Sequence, residues 1–203
     1  MKTFPLLCLV TTLGLSIAQA AQQEGNPQAA KIARDASQAA KDQDWNKAIE
    51  GFRKAAEMDR KFTTNLAIAY QQRAFAYAND QRFQDALNDL NEAIKIKPGD
   101  ARAYQQRAET EIKINDNEKA IADYGEAIKI NPGDIRNYMS RAYIYWNRGD
   151  IPNALADVDK ALKIEPKNQK AQGWKQQLQK AQAATAPVQP SNAPGVPAPQ
   201  KKP

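Results

Sequence analysis

The sequence contains no histidine, and its single cysteine, Cys8, lies within the first twenty residues. Histidine is the most common general base in enzymes and, with cysteine, a main ligand of transition metals. A glycine-rich phosphate loop is also missing, because the Pro-Gly-Asp triplets stand between helical segments. Paired carboxylates recur at helical spacing, which favours solvated helix faces over acid–base chemistry. We therefore expect no enzymatic activity, no metal and no cofactor.

Residues 1–20 have the pattern of a secretory signal peptide. One basic residue, Lys2, precedes an apolar run from Leu6 to Ala18, and an Ala-Gln-Ala triplet ends this segment. The run is shorter than the about 20 apolar residues that cross a bilayer, so we expect cleavage after residue 20 and no transmembrane segment thereafter. We expect an exported protein of the bacterial periplasm, with full secretion as the alternative. The mature chain would contain no cysteine and hence no disulfide.

Charge gives no sign of a nucleic-acid partner. The formal net charge is +6, but lysine and arginine alternate with aspartate and glutamate along the chain. Nucleic-acid binding requires a clustered basic face, which this pattern does not provide. Charged residues make up 26% and hydrophobic residues 42% of the chain, as in an ordinary soluble globular domain.

A hexapeptide recurs at a fixed interval. AYQQRA occupies residues 69–74 and occurs again 34 residues later, at 103–108, and a divergent copy, NYMSRA, follows after another 34 residues. Aligned on these copies, the chain divides into three units, 67–100, 101–134 and 135–168. The residues that coincide are Tyr70, Tyr104 and Tyr138; Ala74, Ala108 and Ala142; Ala86, Ala120 and Ala154; Ala93, Ala127 and Ala161; and Pro98, Pro132 and Pro166.

Each unit is predicted to form two helices. Apolar and small residues recur every three or four positions in both halves, a polar triplet separates the halves, and a proline ends the second helix. Asp100, Asp134 and Asn168 stand where the next helix needs an N-cap. A two-helix repeat of this length, with these small, aromatic and proline positions, resembles the tetratricopeptide repeat family. The resemblance implies an all-α, right-handed solenoid that serves as a binding scaffold.

Segments outside the three units complete the predicted domain. Residues 29–62 are interpreted as an eroded repeat, with alanines in register but no closing proline, after a short linker at 21–28. Residues 169–183 carry one apolar stripe and are expected to form a helix that caps the last repeat. Residues 184–203 hold six of the twelve prolines and no acidic residue, so we expect them to be disordered.

An arginine in the first helix of each clear repeat is followed sixteen residues later by an aspartate. In a hairpin whose turn lies midway, these two positions face each other, so we predict an Arg–Asp bridge in each repeat. The eroded unit supports this interpretation because it has Asp35 and Gly51 at these positions and thus lacks both partners. The predicted pairs are Arg73–Asp89, Arg107–Asp123 and Arg141–Asp157.

The resemblance also implies a binding groove, since the first helices of tetratricopeptide repeats line a concave face that commonly holds an extended peptide. Glutamine amides both donate and accept hydrogen bonds, arginines pair with carboxylates, and aromatic residues offer apolar contacts. An alternative is that these polar residues are merely solvated and the aromatic ones pack between repeats. The predicted groove residues are Gln71, Gln72, Phe75, Arg102, Gln105, Gln106, Glu109, Arg136, Met139, Tyr143 and Trp146.

We expect a protein or peptide partner and an adaptor function, in envelope assembly or as a periplasmic co-chaperone. Some family members hold chaperone C-termini with a clamp of lysine, asparagine and arginine. Only Arg102, or Arg136 in the next frame, fits that clamp here, so we do not expect it. Two other functions stay open: self-association through the eroded unit or the tail, and envelope attachment through the Pro/Ala-rich tail with Lys201 and Lys202.

Overall fold

The computed structural model describes residues 25–185, and within that range every regular element is helical. The predicted signal peptide and nearly all of the predicted tail lie outside the described residues. The α-helices are α1 Pro27–Lys41, α2 Trp45–Met58, α3 Thr63–Asn79, α4 Phe83–Ile96, α5 Ala101–Lys113, α6 Asn117–Ile130, α7 Ile135–Asn147, α8 Ile151–Ile164 and α9 Gln169–Thr185, and a 3-10 helix spans Arg60–Phe62. The predicted all-α helical repeat fold is confirmed.

The chain forms two compact units, which divide after residue 137. In the first unit, α1 and α2, α3 and α4, and α5 and α6 pack as hairpins, and α2 contacts α3 as α4 contacts α5. In the second unit, α9 packs against α8. Its buried Ala171 and Leu178 join Ala142, Ala154 and Val158 in one apolar cluster. The last helix therefore covers the apolar face of the preceding hairpin.

The predicted N-caps begin the first helices of successive repeats. Asp100 Oδ1 accepts a hydrogen bond from the backbone N–H of Arg102 at 3.1 Å, and Asp134 Oδ1 accepts one from Arg136 at 3.0 Å. Asn168 Oδ1 accepts from the backbone of Ala171 at 3.0 Å. Each cap satisfies a backbone donor that the helix itself leaves unpaired and contributes about 1 kcal/mol.

The turn inside each hairpin needs one residue with left-handed backbone. Gln43, Gln81 and Asn115 have φ values of 60°, 61° and 61°, and Gly149 takes the same place with φ 75°. Only glycine adopts this conformation without steric cost, so three of the four turns carry a small strain. These turns coincide with the polar breaks in the sequence.

The three predicted Arg–Asp bridges are confirmed. In each, the guanidinium donates through Nε and Nη2 to both carboxylate oxygens of the aspartate, with Nε–Oδ2 distances of 2.7, 2.6 and 2.8 Å along the chain. The aspartate side chains are only 6–7% exposed. The bridges therefore lie at the helix–helix contact itself, deeper than a surface ion pair.

Gly51 explains why the eroded repeat has no such bridge. A Cβ atom at Gly51 would lie 2.7 Å from Ala36 Cβ and 3.4 Å from Ala36 Cα. Real Cβ atoms do not approach this closely, so α1 and α2 pack at a distance that leaves no room for any side chain at this position. An aspartate here would separate the two helices.

Replacing Gly51 with alanine is expected to destabilise the protein by about 1–3 kcal/mol through overpacking. This loss exceeds the about 1 kcal/mol that alanine gains in helix propensity. Gly173→Ala in α9 is the matched control, because no atom lies within 4 Å of a Cβ added there. Urea denaturation should show the first variant less stable and the second slightly more stable than the wild type. Stabilisation by both would contradict the close approach of α1 to α2.

Candidate functional site

A surface cavity of about 590 Å³ runs along α5 in the first unit. Arg102, Gln105, Gln106 and Glu109 recur at three- and four-residue spacing, so their side chains share one face of that helix. We call this cavity the α5 groove. It is lined by Phe75, Asp100, Ala101, Arg102, Gln105, Gln106, Glu109, Asn131, Asp134 and Arg136.

A smaller apolar pocket of about 160 Å³ adjoins the groove between α3 and α5. Its walls include Ala74, Ala78 and Leu90, and Leu90 is only 1% exposed. Phe75 borders both cavities and leaves 58% of its surface exposed. An exposed aromatic ring beside a small apolar hollow can hold one apolar side chain of a guest chain.

The glutamines of α5 differ in their hydrogen bonding. Gln105 Nε2 donates to Glu109 Oε1 at 3.0 Å, within the exposed face of the helix. Gln106 borders both cavities, and its Oε1 is buried without a hydrogen-bond partner among the described residues. A buried polar atom left unpaired costs about 1–3 kcal/mol. A donor supplied by a guest chain would remove this cost.

Charges of both signs line the groove. Arg136 pairs with Asp134, with Nη2–Oδ2 at 2.6 Å and Nε–Oδ1 at 2.9 Å. This hydrogen-bonded pair raises the pKa of Arg136 and lowers the pKa of Asp134. Arg102 is exposed, and its guanidinium forms no hydrogen bond or ion pair with the described residues. Arg102 is thus the groove cation that is open to an incoming carboxylate.

The chain's repeats match a known family model. The model described as "Tetratricopeptide repeat" matches residues 67–100, 101–134 and 135–168. These ranges make up half of the chain and are the three 34-residue units found in the sequence. The chain belongs to the tetratricopeptide repeat family. Members of this family are generally interaction modules and not enzymes.

Relatives within the family share parts of the chain. A 55-residue segment is 44% identical to the heat shock protein STI1 of Saccharomyces cerevisiae, and this match spans 27% of the chain and 9% of STI1. The MamA crystal structure aligns with a TM-score of 0.58 at 17% identity, over 76% of this chain and 82% of MamA. The first tetratricopeptide domain of RPAP3, bound to the HSP90 peptide SRMEEVD, aligns with a TM-score of 0.53 at 18% identity, over 58% of this chain and 93% of its own. These structural likenesses show the fold.

Two predicted residues of α3 do not line the α5 groove. Gln71 is 3% exposed, and its Nε2 donates to Asp100 Oδ2 at 3.1 Å. The amide of Gln71 is therefore already bonded, and its role is to join α3 to the cap of α5. Gln72 is half-buried and borders neither cavity. Prediction of Gln71 as a groove residue was wrong, because the loop before α5 covers its side chain.

The other predicted residues, Met139, Tyr143 and Trp146, belong to the second unit. Met139 is half-buried against the apolar cluster of that unit. The ring centroid of Trp174, on α9, lies 5.9 Å from that of Tyr143 and 6.3 Å from that of Trp146. We call Tyr143, Trp146 and Trp174 the aromatic patch. Trp174 lies within residues 169–183, which were predicted to form the capping helix.

Within residues 25–185, no three His, Cys, Asp or Glu side chains come together in a group that could hold a metal ion. No helix within the same residues is both long and apolar enough to cross a membrane.

Proposed function

We propose that this protein is an adaptor that binds an extended segment of a partner protein in the α5 groove. The observation that carries the proposal is the unpaired Oε1 of Gln106, a residue that borders both the groove and the apolar pocket beside Phe75. Rotation of the Gln106 side chain toward the groove would pair this oxygen with a backbone N–H of the guest, while a neighbouring apolar side chain of the guest fills the pocket. An extended chain offers both groups at adjacent residues.

The charge of the groove indicates what such a segment carries. Arg102 is open to solvent, so an acidic side chain or a terminal carboxylate of the guest would pair with it. The structure of RPAP3 with an HSP90 peptide supports binding of a peptide by a domain of this family. In this chain only one arginine of a chaperone-type clamp is available, so we propose a guest held mainly by its backbone and one apolar anchor.

The proposal includes an exported location. It rests on the signal-peptide pattern of residues 1–20, which lie outside the described residues. In this setting the protein would act in envelope assembly or as a periplasmic co-chaperone. Self-association and attachment through residues 184–203 stay predictions, and light scattering and cell fractionation test them respectively.

A double variant, Phe75→Ala with Gln106→Ala, tests the groove. Peptides selected by the wild-type chain from a random display library should bind this variant at least about tenfold more weakly, which corresponds to about 1.4 kcal/mol. Fluorescence anisotropy with the labelled selected peptides gives the affinities.

Gln84→Ala with Ile114→Ala is the matched control, because it also removes one glutamine and one exposed apolar residue but lies outside both groove cavities. The control should bind as the wild type does. Equal affinity of all three proteins, or no enrichment of any peptide by the wild type, would refute the proposed function.

A further inference from the structure

The aromatic patch of the second unit is an open surface. Tyr143 leaves 49% of its surface exposed, and the planes of Tyr143 and Trp146 are tilted by 36° and 39° against that of Trp174. Trp146 and Trp174 are half-buried against the apolar cluster of the unit, so the patch consists of one exposed ring beside two partly exposed ones. Clustered, partly exposed aromatic side chains of this kind usually mark a binding surface.

Proline-rich segments are one class of ligand that docks on aromatic-lined surfaces. In a polyproline II conformation, the prolines stack on aromatic rings, and their fixed φ lowers the entropy lost on binding. The chain carries two P-x-x-P motifs after α9, at residues 187–190 and 194–197, and the second is followed by Pro199. Both the surface and a suitable ligand are therefore present in one polypeptide.

We propose that residues 194–199, Pro-Gly-Val-Pro-Ala-Pro, dock on the aromatic patch formed by Tyr143, Trp146 and Trp174 of the same chain. This inference goes beyond the proposed function, because it concerns residues of the second unit and a ligand within the chain.

The length of the connecting chain favours the second motif. Eleven residues of α9 separate Trp174 from Thr185, which is about 16 Å along the helix axis at 1.5 Å per residue. The nine residues from Thr185 to Pro194 span at most about 30 Å, which is enough to bring Pro194 back to the level of Trp174. A ligand tethered within reach of its site has an effective concentration in the millimolar range.

The first motif is too close to the helix to do the same. Pro187 lies two residues beyond Thr185, and two residues span at most about 7 Å. Pro190, five residues beyond Thr185, could just reach the level of Trp174, but Pro187 would stay about 9 Å short of it, so both prolines of the first motif cannot lie on the patch together. The two motifs thus form a matched pair, alike in composition but different in reach.

Tryptophan quenching by acrylamide tests the proposal in the full-length chain. The background carries Trp45→Phe, so that the remaining tryptophans, Trp146 and Trp174, both lie in the patch. Pro194→Ser with Pro197→Ser and Pro199→Ser should raise the quenching constant, since it uncovers the rings. Pro187→Ser with Pro190→Ser is the control and should leave the constant unchanged.

A synthetic peptide with the sequence of residues 193–200 tests whether this segment protects the tryptophans when it is added separately. Added to the triple proline variant, it should restore protection with a dissociation constant on the order of 1 mM, the affinity that a millimolar effective concentration requires for substantial occupancy. Tyr143→Ser, at an exposed position, should weaken that protection severalfold while the helical circular dichroism stays unchanged.

Equal quenching in the background, triple and control proteins would overturn the proposal, as would failure of the peptide to protect at several millimolar. A larger effect of the control variant than of the triple variant would also overturn it, because it would assign the ligand to the first motif. None of these readouts involves Phe75 or Gln106. Failure of this proposal would therefore leave the proposed adaptor function of the first unit unaffected.

Discussion

Replacing Arg107 with methionine is expected to lower the free energy of unfolding by about 2–4 kcal/mol. The guanidinium of Arg107 binds both oxygens of Asp123, at 2.6 and 2.7 Å, and the Asp123 side chain is only 7% exposed. Methionine keeps most of the apolar stem but leaves a carboxylate in the helix contact without its cation. The loss stays below that of a fully buried pair because the arginine side chain is 23% exposed.

Arg107 also joins two repeats. Its Nη1 donates to Asn91 Oδ1 at 2.7 Å, so one side chain on α5 connects α6, in its own hairpin, with α4 of the preceding one. Arg73 makes the equivalent bond to Asn46, on α2, at 2.6 Å. The bridges therefore set the register between neighbouring hairpins as well as within each hairpin, and the loss on replacing Arg107 includes this second contact.

Urea denaturation of Arg107→Met, Asp123→Leu and the double variant measures the pair. The double variant should be more stable than the sum of the single losses predicts, because it leaves no unpaired buried charge. Arg82→Met is the control, since Arg82 pairs with Asp85 on the surface, with both side chains about half exposed. It should change stability little. Equal effects of Arg82→Met and Arg107→Met would show that the buried bridge contributes nothing special.

Much of this hairpin geometry follows from the sequence. The 34-residue period predicts the helix ends, caps and turns, and the sixteen-residue spacing predicts the Arg–Asp pairs. These features could be predicted because they depend on residues that are close along the chain. The contact of Arg107 with Asn91 could not be read from the period, because it depends on how far one hairpin is offset from the next.

The candidate site was harder to predict than the fold. Helical spacing placed Arg102, Gln105 and Gln106 on one face, and the structure brings them to one groove. Gln71 and Gln72 are adjacent in the same hexapeptide, yet the capping loop at Asp100 buries only Gln71. Spacing along one helix does not reveal which part of its face a neighbouring loop covers. The difference in burial between Gln71 and Gln72 could therefore be seen only in the three-dimensional structure.

Glu111 is a further feature that the sequence analysis missed, although the repeat alignment contains the signal. Tyr77 and Tyr145 occupy the equivalent positions of the neighbouring repeats, so Glu111 places a carboxyl group where the repeat otherwise has an aromatic ring. It is 4% exposed, and its Oε2 has no hydrogen-bond partner among the described residues. Burial and, to a lesser extent, the charge of Asp123 raise the pKa of Glu111 to about 7.

Glu111 should make the protein less stable at pH 8 than at pH 5. A carboxyl group whose pKa is raised in the folded state, here from 4.5 to about 7, contributes stability that is fully present below pH 4.5 and is lost as the pH rises through 7. We expect a loss of about 1–2 kcal/mol between pH 5 and pH 8. This is less than the full linkage value, because Glu111 borders a cavity of about 490 Å³ that admits water.

Urea denaturation at pH 5, 6, 7 and 8 measures this effect. In Glu111→Gln the pH-dependent loss should disappear, while Glu109→Gln, at an exposed position on the same helix, should keep it. Carboxylates with lowered pKa values, such as Asp59, Asp116 and Asp134, contribute stability that is lost only below their unfolded pKa near 3.8, outside this range. Parallel profiles for the wild type and Glu111→Gln would exclude Glu111 as the titrating group.

The two predictions are coupled through one cluster of charges. Arg107 and Lys119 are the positive charges that hold the pKa of Glu111 down, while Asp123 and Asp116 raise it. Removing the guanidinium in Arg107→Met leaves Glu111 facing Asp123 with less compensation, so its pKa should move above 7 and the stability loss should shift to higher pH. Asp123→Leu should move the pKa the other way. Opposite shifts of the pH midpoint in these two variants would show that the buried bridge and the buried carboxyl group act as one electrostatic unit.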